Sequence, residues 1–287
     1  HANVKLKTLS GLSALHFAAE HGHSNIIRKL ISADRQGIDN KADNGNTALM
    51  QAVAYQHNDA LQSFLQAGAD PNISNRDGQS ALLLALRNAD DKSMQTLLKS
   101  DIKIDATDRD GNTALHLAVK TNDLRIINSL FAYKINVNKA NEDGNTPLML
   151  AAQQANEKIA KLLLQHGANL ESKNKQEDSA LHIAARQRNN PLLALLIAGG
   201  AKLNQAGGQG DTALMIAARS CHMQSVSMLL QHKINLDAKN ARGDTALKIA
   251  AQHGHLPCVK NLVDTKANID SADKFGQTPL VAAAMRD

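Results

Sequence analysis

The chain has 287 residues, of which 43% are hydrophobic and only 2% aromatic, and its formal net charge is +5 at pH 7. Such a core must be built mostly from Ala, Leu, Ile and Val, which favours closely packed helices over a β-sandwich or barrel. No apolar run approaches a membrane span, and the dispersed charge with few aromatics gives little support to nucleic-acid binding. Two cysteines, Cys221 and Cys258, make neither a disulfide framework nor a zinc pattern, which fits a reducing compartment.

One short motif recurs along the whole chain. Its Ser or Thr recurs first after 34 residues and then seven times after 33, at Ser13, Thr47, Ser80, Thr113, Thr146, Ser179, Thr212, Thr245 and Thr278. A second apolar cluster, such as Ile126, Ile127 and Leu130, follows every copy except the ninth. We therefore predict nine repeats that start near residues 8, 42, 75, 108, 141, 174, 207, 240 and 273, the last being incomplete.

Each repeat predicts two short helices and a turn. The Thr113 hydroxyl is positioned to accept from the unbonded backbone N–H groups at the start of a first helix. Leu115 and Ala118 supply the apolar stripe of that helix, and Asn122-Asp123 ends it and opens the second helix. Extended segments and a tight Asp-Gly turn follow. None of the five prolines falls in the interior of a predicted helix. Pro147 and Pro279 take the first position of a first helix, Pro191 and Pro257 lie at the start of a second helix, and Pro71 lies in an extended segment.

A 33-residue unit carrying "DGNTALHLAV" (residues 110–119) resembles the ankyrin repeat. The resemblance covers essentially the whole chain. It implies an all-α solenoid of stacked helix-turn-helix units with β-hairpin-like fingers. We expect residues 1–287 to form a single ankyrin-repeat domain that is part of a longer protein.

The histidine of this motif is a candidate catalytic group. His116 has counterparts at His16 and His182, but Met, Leu, Lys or Val stands at the same position in the other repeats. A catalytic group would not recur at three distant places and be replaced elsewhere, so we expect a structural role and regard catalysis as the weaker alternative. The resemblance implies that this histidine hydrogen-bonds around the Thr and the neighbouring loop.

Two other apparent sites are better explained without a ligand. The pairs His21/His23 and His253/His255 lie in interhelix loops near opposite ends of the array, without the repeated Cys or carboxylate that would complete a metal site. The glycine-rich stretch at 206–211 lacks the Lys of a phosphate loop. We predict no catalytic residue, no cofactor and no metal.

Two turns depart from the pattern. Glu177 stands where the sixth repeat should have its turn glycine, and the seventh repeat has Gly207, Gly208 and Gly210. Neutral drift is the favoured interpretation, and a pair of fingers reshaped for a partner, or a hinge, is the alternative.

The resemblance implies that a partner protein binds the concave face, which is built from fingertips and first helices. By repeat position, the expected partner-binding residues are Tyr55, Arg76, Asp77, Arg87, Arg109, Asp110, Lys120, Glu142, Asp143, Gln153, Arg186 and Arg219. Four of them, Arg87, Lys120, Arg186 and Arg219, share one repeat position and predict a partner with an acidic face. The alternative is that they are ordinary solvated charges.

We therefore expect a monomeric, non-catalytic interaction scaffold in the cytoplasm, with no nucleic-acid partner and no membrane insertion. The alternative is a substrate-recruiting or targeting arm of a larger enzyme, a membrane protein or a bacterial effector that acts in a host cytosol. A nucleic-acid binder is the least favoured interpretation.

Overall fold

The computed structural model describes residues 3–286, and within that range it contains 17 α-helices and no β-strand. The chain separates into two compact units, with the division between Asn136 and Val137. Folding of residues 1–287 as a single domain stays a prediction. No helix between residues 3 and 286 has both the length and the apolar character that a bilayer crossing requires.

The N-terminal unit contains four helix pairs. Their bounds are α1 Ala14–Glu20, α2 Ser24–Ala33, α3 Ala48–Ala54, α4 Asn58–Gln66, α5 Ala81–Arg87, α6 Asp91–Leu98, α7 Ala114–Lys120 and α8 Leu124–Phe131. A short 3₁₀ turn follows α2 at Arg35–Gly37. The first helices pack side by side in the order α1, α3, α5, α7, and each also contacts the second helix of its own repeat.

The C-terminal unit contains four further pairs and one additional helix. Their bounds are α9 Pro147–Gln153, α10 Glu157–Gln165, α11 Ala180–Arg186, α12 Asn190–Ala198, α13 Ala213–Arg219, α14 Met223–Leu230, α15 Ala246–Gln252, α16 Leu256–Asp264 and α17 Pro279–Ala284. The first helices α9, α11, α13, α15 and α17 pack in sequence, and so do the second helices α10, α12, α14 and α16.

The predicted caps and proline positions are confirmed. The Thr113 side chain accepts from the backbone N–H of His116, and the other motif threonines do the same at the starts of α3, α9, α13, α15 and α17. A proline occupies the first turn of α9, α12, α16 and α17, where its missing N–H costs no helical hydrogen bond.

The motif leucine is the most regular core residue. It is at most 7% exposed in the first eight repeats, at Leu15, Leu49, Leu82, Leu115, Leu148, Leu181, Leu214 and Leu247. Its counterpart in the ninth repeat, Leu280, is 78% exposed. Fully buried alanines such as Ala184 and Ala217 let neighbouring first helices approach closely. The core therefore runs along each unit as a stripe between first and second helices.

The fingers are tight turns with hairpin-like pairing. Asp108 N donates to Asn112 O at 3.1 Å, and the Asp108 carboxylate accepts from Asp110 N at 3.0 Å. Neighbouring fingers are joined by backbone bonds such as Arg109 N to Asp77 O at 3.1 Å. The isolated bridges within residues 3–286 are Lys7–Ser13 and Lys41–Thr47.

Both irregular fingers keep this turn. Glu177 adopts φ +62° in the left-handed region that favours glycine, and Glu177 N still donates to Asn174 O at 2.9 Å. In the next finger Gly210 N donates to Gly207 O at 3.0 Å. Gly207 is needed for close approach, because a Cβ there would lie 2.7 Å from Cδ2 of His182. A functional reshaping of these fingers stays a prediction.

The structure contradicts our prediction that the two cysteines form no disulfide. Cys221 and Cys258 are disulfide-bonded, with Cα atoms 5.8 Å apart, inside the range that a disulfide spans. Cys221 lies in the left-handed loop between α13 and α14, and Cys258 lies in the first turn of α16. Their separation of 37 residues is one repeat plus about one helical turn, so stacking brings the two positions together. The inference of a reducing compartment loses this support.

Candidate protein-binding surface

The predicted basic residues of the C-terminal unit are ion-paired. Arg186 ends α11, and its Nη1 lies 2.7 Å from Oδ2 of Asp178. Arg219 ends α13, and its Nη1 lies 2.7 Å from Oδ2 of Asp211. Each aspartate is buried and directly precedes the N-cap of the same helix, whereas each arginine is 36% exposed or more. The arginine therefore bridges the two ends of its helix, and part of its side chain remains exposed to solvent.

The same position in the fifth repeat carries a neutral version of this bridge. Gln153 ends α9, and its Nε2 donates to Oδ1 of Asn145 at 3.4 Å. Gln153 is exposed and Asn145 is buried. A side chain at the end of a first helix therefore bonds to the residue before the N-cap of that helix whether or not the two are charged. The feature common to these repeats is the position of the two bonded residues.

Two basic residues of the N-terminal unit are also anchored. Lys120 ends α7, and its Nζ donates to Oδ1 of Asn112 at 3.1 Å. Arg87 ends α5 and reaches the following finger, where its Nη2 lies 3.1 Å from Oδ2 of buried Asp108. The Gln79 amide oxygen, in the orientation that its neighbours require, accepts from Nη1 of Arg87 at 2.8 Å.

The predicted fingertip residues are exposed in both units. They are Arg76, Asp77, Arg109 and Asp110 in the N-terminal unit, and Glu142 and Asp143 in the C-terminal unit. Arg109 Nη1 lies 3.5 Å from Oδ1 of Asp77, but both side chains are about two-thirds exposed. Such an exposed pair contributes little stability, so these side chains are available to a partner.

Tyr55 follows α3 and is about half exposed, as an aromatic anchor must be. A hydrogen bond with the Glu20 carboxylate, together with the negative charge of that group, raises the pKa of the Tyr55 hydroxyl. Tyr55 therefore stays neutral at physiological pH and presents both a ring face and a polar tip.

The motif histidines have the structural role that we predicted. His16, His116 and His182 are at most 1% exposed. Nδ1 of His182 accepts from Ser179 N at 3.2 Å, so the proton lies on Nε2, which donates to Gln205 O at 2.9 Å. His16 repeats this arrangement, with Nε2 bonded to Asn46 O at 3.2 Å. Burial lowers the pKa of His16 and His182, which favours the neutral ring.

The paired loop histidines lie where the sequence placed them. The rings of His21 and His23 stack with centroids 5.8 Å apart, and so do those of His253 and His255. His255 Nε2 bonds to Arg219 O at 3.0 Å, which ties the loop to the preceding repeat. Among residues 3–286, no group of three or more His, Cys, Asp or Glu side chains is arranged to hold a metal ion.

One buried cluster was missed by the sequence analysis. Lys248 occupies the motif histidine position of the eighth repeat and is only 3% exposed. Its Nζ lies 2.6 Å from Oδ1 of Asp244 and also contacts the Asp273 carboxylate of the ninth repeat. Burial alone would lower the pKa of Lys248, but these two bonds outweigh it and raise that pKa. The bond from Lys248 lowers the pKa of Asp273 to about 2.

Comparison with known proteins identifies the fold. A family profile described as ankyrin repeats (three copies) matches residues 1–75, 53–141, 82–174, 121–206, 167–240 and 214–287. The chain belongs to the ankyrin repeat family. Ankyrin repeats are in general protein–protein interaction modules, and the helix pairs and fingers of both units are of this type.

Solved and curated ankyrin proteins resemble parts of the chain. The ankyrin repeat domain of Bcl-3, a member of the IkappaB protein family, matches 78% of this chain and all of its own, with a TM-score of 0.70 and 29% identity. Ankyrin repeat and SOCS box protein 2 of Bos taurus is 39% identical over 26% of this chain, which is 12% of that protein. Transient receptor potential cation channel subfamily A member 1 of Homo sapiens is 31% identical over 26% of this chain and 7% of its own length. The chain thus matches only a small part of these curated relatives.

Proposed function

We propose that this ankyrin-repeat protein is a non-catalytic, monomeric scaffold that binds a partner protein through the ends of its first helices and its fingertips. The support is the anchoring of these side chains: Arg186 and Arg219 are partly exposed but held by bonds of 2.7 Å to buried aspartates. A side chain that is already immobilised loses little entropy on binding. The proposed residues are Tyr55, Arg76, Asp77, Arg87, Arg109, Asp110 and Lys120 in one unit, and Glu142, Asp143, Gln153, Arg186 and Arg219 in the other.

The partner chemistry that we propose is an acidic face recognised at short range. A guanidinium has five N–H donors in a planar fork, and the bond between Arg186 and Asp178 engages one of its nitrogens. Partner carboxylates can bond to the outward donors. Because buried aspartates neutralise Arg87, Arg186 and Arg219 locally, long-range steering is weak, and we expect a shallow dependence of affinity on salt.

Site-specific photo-crosslinking tests this surface. A photoreactive amino acid at Gln153, which is exposed at the end of α9, should crosslink a single partner in cells. The matched control is the same substitution at Lys161, an exposed residue of the second helix α10 in the same repeat. Equal crosslinking from both positions, or none from Gln153, would contradict the proposed surface.

The alternative is that the repeats recruit a substrate or target for a larger protein. It is favoured by the relatives, because one is named for a SOCS box and another for a cation channel, and each is much longer than the region it shares with this chain. Measuring the mass of the endogenous protein, and identifying any catalytic or membrane segment joined to residues 1–287, separates this alternative from an independent scaffold.

We propose a cytoplasmic location, or the host cytosol for an exported bacterial protein. A reducing cytosol should leave Cys221 and Cys258 as thiols, although the fold holds them at bonding distance. Rapid alkylation of intact cells followed by mass measurement decides this, because two added alkyl groups indicate thiols. Protection of both cysteines would indicate an oxidising compartment instead.

A further inference from the structure

Arg186 and Arg219 stand at the same position in consecutive repeats and are held in the same way. In each case Nη1 lies 2.7 Å from Oδ2 of the aspartate that precedes the N-cap, Asp178 or Asp211. The two aspartate side chains are at most 7% exposed, whereas the arginine side chains are 53% and 36% exposed. The two guanidiniums are therefore fixed copies of one arrangement, displaced from each other by the packing of α11 against α13.

The packing of the first helices sets the spacing of these two cations. Because α11 and α13 are direct neighbours, equivalent positions on them lie about 8–10 Å apart. In a polyproline II helix, with three residues per turn and a rise of about 3.1 Å, residues i and i+3 lie on the same side about 9 Å apart. In a β-strand, residues on the same side lie about 7 or 13 Å apart. The arginines therefore match side chains three residues apart in a polyproline II segment.

The repeats on either side carry neutral side chains at the same position. In the fifth repeat Gln153 bonds to Asn145, and in the eighth repeat α15 ends at exposed Gln252. Since α9, α11, α13 and α15 pack in sequence, the four positions follow one another as neutral, basic, basic and neutral. A partner segment that lies along them meets guanidiniums at two adjacent positions and amides at the flanking positions.

Polar side chains beside the arginines suit a partner whose backbone has no internal hydrogen bonds. Gln187 follows Arg186 at the end of α11, Ser220 follows Arg219 at the end of α13, and both are exposed. An amide and a hydroxyl can each bond to backbone N–H or C=O groups. Residues seven apart in an α-helix would also match the spacing, at about 10 Å, but a helix uses these backbone groups internally. A polyproline II segment leaves them free, so it is the better fit.

We propose that α11 and α13 bind a disordered acidic segment of a partner protein in the polyproline II conformation, with carboxylates at positions i and i+3 bonded to Arg186 and Arg219. Neutral residues lie at i−3 and i+6, opposite Gln153 and Gln252. This inference rests on the proposed function and gives its acidic partner a conformation and a spacing. Acidic segments repel themselves and stay extended, and unfolded chains already populate polyproline II, so binding requires little rearrangement.

Synthetic peptides test the spacing. A fluorescein-labelled, proline-rich peptide with two glutamates three residues apart should bind the 287-residue protein saturably in fluorescence anisotropy. A peptide of the same composition with the glutamates two residues apart should bind roughly fivefold more weakly, because only one carboxylate at a time meets a guanidinium. An alanine-rich helical peptide with glutamates seven residues apart should also bind more weakly than the first peptide.

The fifth repeat supplies the design of a variant that keeps the fold. Arg186→Gln with Asp178→Asn copies the Gln153–Asn145 pair and leaves the net charge unchanged. It should weaken binding of the first peptide roughly fivefold, since one ion pair with the peptide is lost. The corresponding change in the seventh repeat should have a similar effect. Circular dichroism of each variant confirms that the fold is intact.

The reverse exchange should extend the row of cations. Gln153→Arg with Asn145→Asp gives the fifth repeat the pair found in the sixth and seventh repeats. A peptide with a third glutamate at i−3 should bind this variant roughly fivefold more tightly than it binds the parent protein. Glu157→Gln with Lys161→Gln, at exposed residues of α10, is the matched control and should leave the affinity of every peptide unchanged.

Several results would overturn the proposal. Absence of saturable binding does so, and so does equal affinity for the two proline-rich peptides or tighter binding of the helical one. Binding that Arg186→Gln with Asp178→Asn leaves intact places the peptide elsewhere and rejects the proposal as well. These failures are distinct from failure of the proposed function, which the crosslinking comparison of Gln153 with Lys161 decides. A partner that crosslinks at Gln153 but has no acidic residues three apart would keep the surface and reject the segment.

Discussion

The sixth and eighth repeats follow one plan but are joined to their neighbours by different chemistry. In the sixth repeat, His182 lies against Gly207 of the seventh finger and bonds to Gln205 O, so the contact is neutral. In the eighth repeat, the same position holds Lys248, which binds Asp273 of the ninth repeat as an ion pair. The eighth repeat is also bonded to the seventh through the Cys221–Cys258 disulfide.

The difference shows what the motif position requires. A side chain there must fill the space behind the N-cap and satisfy polar groups of the next finger, but it does not have to be histidine. Met215 meets part of this requirement in the seventh repeat, where its Sδ accepts from Thr212 N at 3.4 Å. A residue that departs from the consensus at this position therefore replaces the histidine contact with a different contact, and does not simply remove it.

The largest expected effect is on the charged linkage. Lys248→Met should lower the free energy of unfolding by about 3 kcal/mol, because it leaves the Asp273 carboxylate buried without its cation and leaves Asp244 with Arg242 alone. Urea denaturation followed by circular dichroism measures this. Adding Asp244→Asn and Asp273→Asn to Lys248→Met should restore more than half of the loss. A single variant as stable as the parent would show that the cluster contributes nothing.

The disulfide comes next. Reduction should destabilise the protein by about 2–4 kcal/mol, because a disulfide constrains the unfolded chain according to the loop it closes, here between residues 37 apart. Thermal denaturation with and without dithiothreitol measures the effect. The Cys221→Ser variant should have the melting temperature of the reduced parent protein, and dithiothreitol should not change it. A parent protein that is indifferent to the reductant would contradict this prediction.

The neutral linkage should be weaker. His182→Ala should cost about 1–3 kcal/mol, since Ser179 N and Gln205 O lose a buried partner. His182→Met should cost less, because a thioether at this position can still accept from the cap, as Met215 does. If His182→Ala weakens partner binding while the melting temperature is unchanged, the structural role of this histidine is wrong.

The smallest expected effect is the pH dependence of stability, which should differ between the sixth and eighth repeats. Burial lowers the pKa of His182 and His16 in the folded protein, whereas in the unfolded chain these histidines have the ordinary pKa of about 6.5. As the pH falls below that value, the unfolded chain therefore binds protons more readily than the folded protein does. The stability from these histidines is therefore complete above about pH 6.5 and is lost as the pH falls below it. Lys248 and Asp273 keep their charges over this range, since the pKa of Asp273 is about 2. Melting temperatures from pH 7.5 to 5 should fall less steeply for His182→Met than for the parent.

Much of the fold could be predicted because it depends on local patterns. The Thr113 cap, the proline at the start of α9 and the buried motif leucines all follow from residues close together in one repeat. Much of the candidate surface could be placed by repeat position too, including the exposure of Tyr55 and of the fingertips. The pairing of Arg186 with Asp178 could also have been found, because the pair spans one helix of known length.

The sequence by itself determined the number and phase of the repeats through the 33-residue interval of the motif, and the ends of most helices through residues close together in one repeat. The structural role of His116 followed from comparing the same position in other repeats. Only the tertiary structure decided that Cys221 meets Cys258 and that Lys248 lies between Asp244 and Asp273. Both features join neighbouring repeats. Stacking brings together positions that differ by one repeat plus a few residues. The pattern within a single repeat does not show which positions of neighbouring repeats come into contact.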